Sequence, residues 1–325
     1  MKIISTIMKK NILTAVLMAS ALTFTSCLSS DGDNQQKTTI NYGNNMCFNV
    51  VTDLNDPEST FISTAPNYIT EINFTDAAGV ISMSNIKLTP EGSNLTFKLP
   101  ALPLTVNNTE YSYNLNGTLI TPEGQADQLV FNKVGFSIIE RNIQISGQWL
   151  YAPVYKMGFT VNGDYEITAF PTAYYFPGDK ITSTLLTPGE DDEPYTDENA
   201  VVSILLSTDK TDSQKLTATL TLYDIKLNST MSAVTFRAEN LPVSYDRAGF
   251  TIHTEENVAY PLKDAAGIMK DCKISNINTR TSVPSGVSTM SFDVDLSALN
   301  PQRPIKPVNV TADRLTYQYP QNSNK

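Results

Sequence analysis

Few groups in this chain are equipped for catalysis. His253 is its single histidine among 325 residues. It stands in the run Phe250-Thr251-Ile252-His253-Thr254, where the apolar neighbours have the opposite parity, so the imidazole is expected on the outer face of a strand. A Ser-His-Asp relay would have to use that residue. No Gly-x-Ser-x-Gly turn is present to lift a serine nucleophile. Four consecutive acids, Glu190-Asp191-Asp192-Glu193, could offer oxygens to a hard cation such as calcium. Adjacent side chains diverge and the Asp-x-Asp-x-Asp-Gly spacing is missing, so the segment reads as a solvated charged loop. A glycosidase needs two carboxyl groups about 5–10 Å apart across a cleft, and 33 acids in one sequence single out no pair. No catalytic residue, metal or cofactor is assigned, and the chain is not read as an enzyme.

Three cysteines and one histidine exclude a multi-histidine metal centre, a cysteine-rich zinc module and a disulfide-dense scaffold. Cys47 and Cys272 read as buried free thiols, although an exported chain would permit them to pair. With 23 basic against 33 acidic residues and a net charge of −10, nucleic acid is not expected as a partner.

Aromatic side chains are the better lead. Trp149, Tyr151 and Tyr155 crowd into one short segment, and Tyr174 and Tyr175 precede Phe176. Flat rings can stack on the apolar faces of sugars, which makes these five the candidate ligand-binding residues. They also suit a core. In Ile143-Gln144-Ile145-Ser146-Gly147-Gln148-Trp149, strict alternation puts Ile143, Ile145, Gly147 and Trp149 on one face. Burial of Trp149 is the direct expectation, with the exposed reading as its rival.

Strands must position all of these groups. Tyr68, Thr70, Ile72 and Phe74 alternate with Ile69, Glu71 and Asn73, and Leu216, Ala218, Leu220 and Leu222 alternate with Thr217, Thr219, Thr221 and Tyr223. That period of two describes strands buried on one face. Turn residues such as Pro90-Glu91-Gly92 and Asn116-Gly117 separate short runs rich in Thr, Val, Ile, Tyr and Phe. No helical run of ten residues is found after the N-terminal segment.

The body repeats itself. Residues 86–122 and 225–261 align at a constant offset of 139, matching Ile86-Lys87-Leu88 with Ile225-Lys226-Leu227 and Leu95-Thr96-Phe97-Lys98 with Val234-Thr235-Phe236-Arg237. Leu102-Pro103 matches Leu241-Pro242, and each is expected at a strand end because proline cannot donate to a central ladder. Looser echoes relate Asn45–Phe48 to Ala173–Phe176, and Val161 to Val310. The expected fold is therefore all-β: two tandem homologous antiparallel β-sandwich-like domains from an internal duplication, at 39–170 and 171–325. Phe97 and Phe236 should each point into a core. Pro301, Pro304 and Pro307 lead to a last strand from Val308 to Tyr319.

The N-terminus reads as an address. Lys2, Lys9 and Lys10 precede an apolar run from Ile12 to Phe24, followed by Thr25-Ser26-Cys27. A positive start, a short apolar stretch and small residues before the cut describe a secretory signal over 1–26, too short to span a bilayer as a helix. With Cys27 directly after the small residues, the segment resembles a bacterial lipoprotein signal, and Ser29-Ser30-Asp31-Gly32-Asp33 resembles the acidic export signal of Bacteroidetes surface lipoproteins. The resemblance implies acylation of Cys27, a flexible tether over 27–38, and attachment to the outer membrane, exposed at the cell surface, through acyl chains worth about 0.8 kcal/mol per buried methylene. The body resembles uncharacterised tandem-β lipoproteins of that group. The function expected is a binding or structural role at the cell envelope, with a glycan or an envelope protein as partner. The alternatives are a surface glycan-binding protein of a polysaccharide-utilisation system, an adhesin or fimbrial component, and a glycoside hydrolase.

Overall fold

The computed structural model describes residues 37–42, 47–56, 58–63, 67–73, 78–107, 110–139, 141–185, 193–256, 258–302 and 306–316. Cys27, the signal, most of the tether and the acidic stretch over 186–192 lie outside them. Among the described residues the chain is all-β, with large antiparallel sheets and a single 3-10 turn at Ser297–Leu299. No helix there is long and apolar enough to cross a membrane.

The first strands are β1 (Lys37–Tyr42), β2 (Cys47–Asp53), β3 (Thr60–Ser63), β4 (Asn67–Asn73) and β5 (Ala78–Ile86). Short pieces follow: β6 (Leu95–Lys98), β7 (Leu102–Pro103), β8 (Thr105–Asn107), β9 (Glu110–Leu115) and β10 (Thr118–Ile120). Next come β11 (Leu129–Ile139), β12 (Asn142–Ile145), β13 (Gln148–Tyr151), β14 (Val154–Val161) and β15 (Tyr165–Pro171). The remainder begins with β16 (Ala173–Pro177), β17 (Ile181–Ser183), β18 (Tyr195–Asp197), β19 (Val201–Thr208), β20 (Leu216–Ile225) and β21 (Val234–Asp246). It closes with β22 (Gly249–His253), β23 (Ala259–Pro261), β24 (Lys273–Ser282), β25 (Val287–Asp295) and β26 (Val308–Thr316). The strand expected to reach Tyr319 is described as far as Thr316.

Two strand sets have the same order. One runs β1-β4-β5-β6, with β7 also on β5, and continues in a second sheet as β8-β9-β11-β14-β15-β2-β3. The other runs β16-β19-β20-β21-β22-β24-β25-β26-β17-β18 in a single sheet. β10 sits beside β11 as β23 sits beside β24. The long β21 does alone what β6, β7 and β8 do together. Among the described strands, only the β12–β13 pair lacks a counterpart.

Register agrees at the level of single residues. β5 and β6 pair Met83 with Phe97, skip, and resume at Ile86 with Leu95. β20 and β21 pair Leu222 with Phe236, skip, and resume at Ile225 with Val234. Each partner is shifted by 139. The two bulges hold Asn85 and Asp224 at φ of 61° and 54°, a left-handed conformation that Asn and Asp tolerate better than most residues. The same shift carries Thr105↔Ser112 and Asn107↔Glu110 onto Ser244↔Thr251 and Asp246↔Gly249. For β1 and β4 the shift becomes 134, taking Tyr42↔Tyr68 to Phe176↔Val202. The difference of five lies between equivalent pairs: four residues separate Asn73 from its partner Ala78, and nine separate Ser207 from its partner Thr217.

These pairings correct the looser echoes. β16 stands where β1 stands, so Ala173–Phe176 does not correspond to Asn45–Phe48, whose Cys47 and Phe48 belong to β2. Val161 lies in β14 and Val310 in β26, which hold different places in the order. Leu241-Pro242 lies inside β21 rather than at a strand end. The register irregularity between Ala218 and Leu220 falls at that point, where a missing N–H costs the ladder least.

The described residues form two compact units, one of those before Glu58 and those within Ser63–Phe136 and Met157–Ala169, the other of those within Glu58–Ile62 and Ser137–Lys156 and those from Phe170 to Thr316. In the first, Phe97 is buried, its ring 4.5 Å from Phe131 and 6.5 Å from Phe159. In the second, Phe236, Phe250 and Phe292 are fully buried. Both phenylalanines at offset 139 thus point inward, as expected. Cys47 and Cys272 are buried and free, and burial pushes the Cys47 thiol up to about 12 despite a hydrogen bond with Asn49.

Candidate functional site

β12 and β13 bond only to each other and form a ribbon apart from the large sheets. Their turn is Ser146-Gly147, with φ of 48° and 76°. Positive φ at both positions gives the tight two-residue hairpin whose twist matches its strands. Reversal there sets Ile143 opposite Leu150, Gln144 opposite Trp149 and Ile145 opposite Gln148. Residues directly opposite share a face. Ile143, Ile145 and Leu150 therefore line one side, and Asn142, Gln144, Trp149 and Tyr151 line the other.

Trp149 is 73% exposed. This overturns its expected burial. Alternation counted through a two-residue turn inverts on the far side, so Trp149 joins Gln144 and not the isoleucines. The outer face of the ribbon then carries two amides (Asn142 and Gln144, both exposed), the exposed indole and a half-buried Tyr151.

The inner face is packed. Ile143 and Ala152 are buried with Val201, against the partly buried Ile145, Leu150, Tyr175 and Tyr223. This cover explains an anomaly in β19: Val201 to Ile204 are buried on both faces of the strand. One face meets the core and the other meets the ribbon. Arg141 fixes the base, its Nε donating to the Ala152 carbonyl at 2.7 Å and its guanidinium to the Tyr175 carbonyl at 2.9 Å. The Ala152 N–H returns a bond to the Arg141 carbonyl. At the tip, the Ser146 hydroxyl donates to the Asp224 carboxylate at 3.1 Å. The bulge that makes Asp224 left-handed is what aims its side chain there.

The other aromatic candidates scatter. Tyr174 is only 1% exposed, with its ring 5.1 Å from Phe250. It is a core residue, because β16 turns odd and even positions to opposite faces. Tyr175, on the other face of β16, is half-buried beneath the ribbon, and burial together with neighbouring Tyr223 pushes its hydroxyl up to about 12. It stays neutral, able to donate and accept. Tyr155 lies on β14, and its side chain is outside the described residues. His253 is exposed on β22. Among the described residues, no three His, Cys, Asp or Glu side chains gather as a metal site would require.

Arg141, Gln144, Ser146 and Asp224 escaped the reading of the sequence. A usable signal was present: Ser-Gly between two four-residue alternating runs is a hairpin signature. No protein family, curated sequence or solved structure matches this chain.

Proposed function

We propose that this chain is an exported, lipid-anchored protein of the cell envelope that captures saccharides at Trp149. The single observation that carries the reading is the 73% exposure of Trp149 on the outer face of a pinned ribbon. An indole left in water costs hydrophobic free energy, and this one is held there by a hairpin whose other face is packed. A sugar ring presents an apolar C–H face and a rim of hydroxyls. The indole suits the first, and the amides of Asn142 and Gln144 suit the second. The decisive test is tryptophan fluorescence, since Trp149 is the only tryptophan. Its emission should be red-shifted, readily quenched by iodide, and altered by the glycans that bind on an array. Trp149→Ala should abolish that binding while leaving the thermal midpoint within a few degrees. A glycan-insensitive emission and an empty array would sink the proposal.

The anchor is part of the same proposal and rests on Lys2, Lys9, Lys10, the apolar run and Cys27, which resemble the signal of a surface lipoprotein. Cys27→Ala should release the protein from the membrane fraction into the aqueous phase of a detergent partition. Continued partition with detergent would remove the lipid from the account. We further propose that the two strand sets descend from one duplicated domain. The constant offset of 139 and the paired bulges at Asn85 and Asp224 support that origin.

A further inference from the structure

The surface under the ribbon is polar where it should be apolar. Ser203 pairs with Tyr175 on one side and Thr221 on the other. It therefore shares their face with Val201 and Tyr223, the face that the ribbon covers. Ser203 is 0% exposed, and its hydroxyl has no hydrogen-bond partner among the described residues. In the first strand set the corresponding position is Ile69, paired with Ser82 as Ser203 is with Thr221, and it is 38% exposed. The uncovered face thus carries the isoleucine and the covered face the serine. A permanent cover would favour the reverse, because a buried hydroxyl without a partner is costly.

The fastenings of the ribbon are unequal. Its base runs directly into β11 and β14, Arg141 and Ala152 close the hairpin on itself, and the part-buried guanidinium ties it to β16 through the Tyr175 carbonyl. Among the described residues its tip is held by one exposed bond, from the Ser146 hydroxyl to the Asp224 carboxylate. The packing between them is a small cluster with three buried members. A two-stranded ribbon has little stability of its own away from such packing.

We propose that β12–β13 is a hinged strap, fixed at Arg141 and released at Ser146–Asp224, and that Tyr175, Ser203 and Tyr223 form a second saccharide subsite, beneath the face of the ribbon opposite Trp149, when the tip lifts. This rests on the saccharide reading of Trp149. The floor supplies three hydroxyls for a neutral hexopyranose chain and two tyrosine rings for its apolar faces. The partnerless Ser203 hydroxyl gains a partner when saccharide or water reaches it.

The test uses the full chain carrying Cys27→Ala and Ser203→Cys, labelled with a maleimide. Buried Cys47 and Cys272 serve as internal references. Cys at 203 should label at least tenfold faster than those two. Adding Ser146→Ala or Asp224→Ala should speed it several-fold without moving the thermal midpoint by more than a few degrees. Labelling as slow as Cys47 and Cys272, with the tip bond intact or removed, would overturn the strap. Maltohexaose and cellohexaose then serve as probes. A probe that shifts Trp149 emission should slow labelling at 203. A probe that shifts the emission and leaves labelling unchanged would overturn the floor as a subsite while sparing Trp149. If neither probe nor any array glycan moves the emission, the saccharide reading fails, and the labelling rates without sugar still decide for or against the strap.

Discussion

The connection between β11 and β14 and the connection between β24 and β25 occupy the same place in two matching strand orders. In the second set that connection is a tight reversal from Ser282 to Val287. In the first it carries the Arg141 base, the β12–β13 ribbon and Trp149. Everything around the two connections corresponds strand for strand. The difference therefore separates what the frame needs from what has been added to it. The second strand set completes its sheet without a ribbon. The added segment holds the one large aromatic side chain that, among the described residues, is mostly in water.

The comparison is broken most directly by exchanging the connections. Replacing residues 140–153 with Val283-Pro284-Ser285-Gly286 should eliminate glycan binding and leave a cooperative thermal transition with the β-type circular dichroism of the parent. Loss of the transition would mean that the ribbon belongs to the frame. Next in size are the matched core positions. Phe97→Ala and Phe236→Ala should each cost about 3–5 kcal/mol in chemical denaturation, through lost burial and an unfilled cavity. A cost below about 1 kcal/mol at either one would separate the two frames energetically.

Gly249 sharpens the contrast. Its φ is 156°, and a Cβ there would stand 1.9 Å from the Thr281 carbonyl oxygen. The corresponding residue of the first set is Glu110, which already has a side chain. Gly249→Ala should therefore cost at least ~2 kcal/mol, and Glu110→Ala should fall within about 0.5 kcal/mol of the parent.

The smallest effect concerns acid. Burial raises the Asp246 carboxyl, but Arg280 and the Ala248 and Gly249 amides outweigh it and hold the group below the usual aspartate range. A depressed carboxyl stabilises the fold above its unfolded pKa, near 3.9, and loses that contribution as pH falls through the folded value. Arg280→Met should flatten the acid side of the stability profile below about pH 4. The pair is substantially exposed, so the change should stay under ~1 kcal/mol. Asn107 takes the place of Asp246 in the first set, and that set should show no such component.

Much of the frame was legible because period-two alternation depends on which face meets the core, as in β20, where leucine and threonine take turns. The ungapped match at offset 139 was legible for the same reason: β5 to β9 and β20 to β22 keep one length. Beyond that stretch legibility fails at loops. A five-residue change of offset across the β19–β20 hairpin hides the equivalence of β1 with β16, and weaker likenesses on non-equivalent strands take its place. The site was half legible. Aromatic residues were the right group to single out, yet Tyr174 faces a core and Trp149 faces water, and the Ser146-Gly147 turn decides the second. Asp224 had no signal of its own, since only the bulge beside Leu222 gives it a direction.

The place of β26 in its sheet has a kinetic consequence. It lies between β25 and β17, so the local β17–β18 pair waits for Val308–Thr316 before it can join the rest of its sheet. Contacts so distant along the chain make folding slow. They also mean that the second frame cannot complete its sheet while β26 is still being synthesised. A polypeptide that remains threadable until then suits passage through a membrane ahead of folding, as the export proposed for it requires.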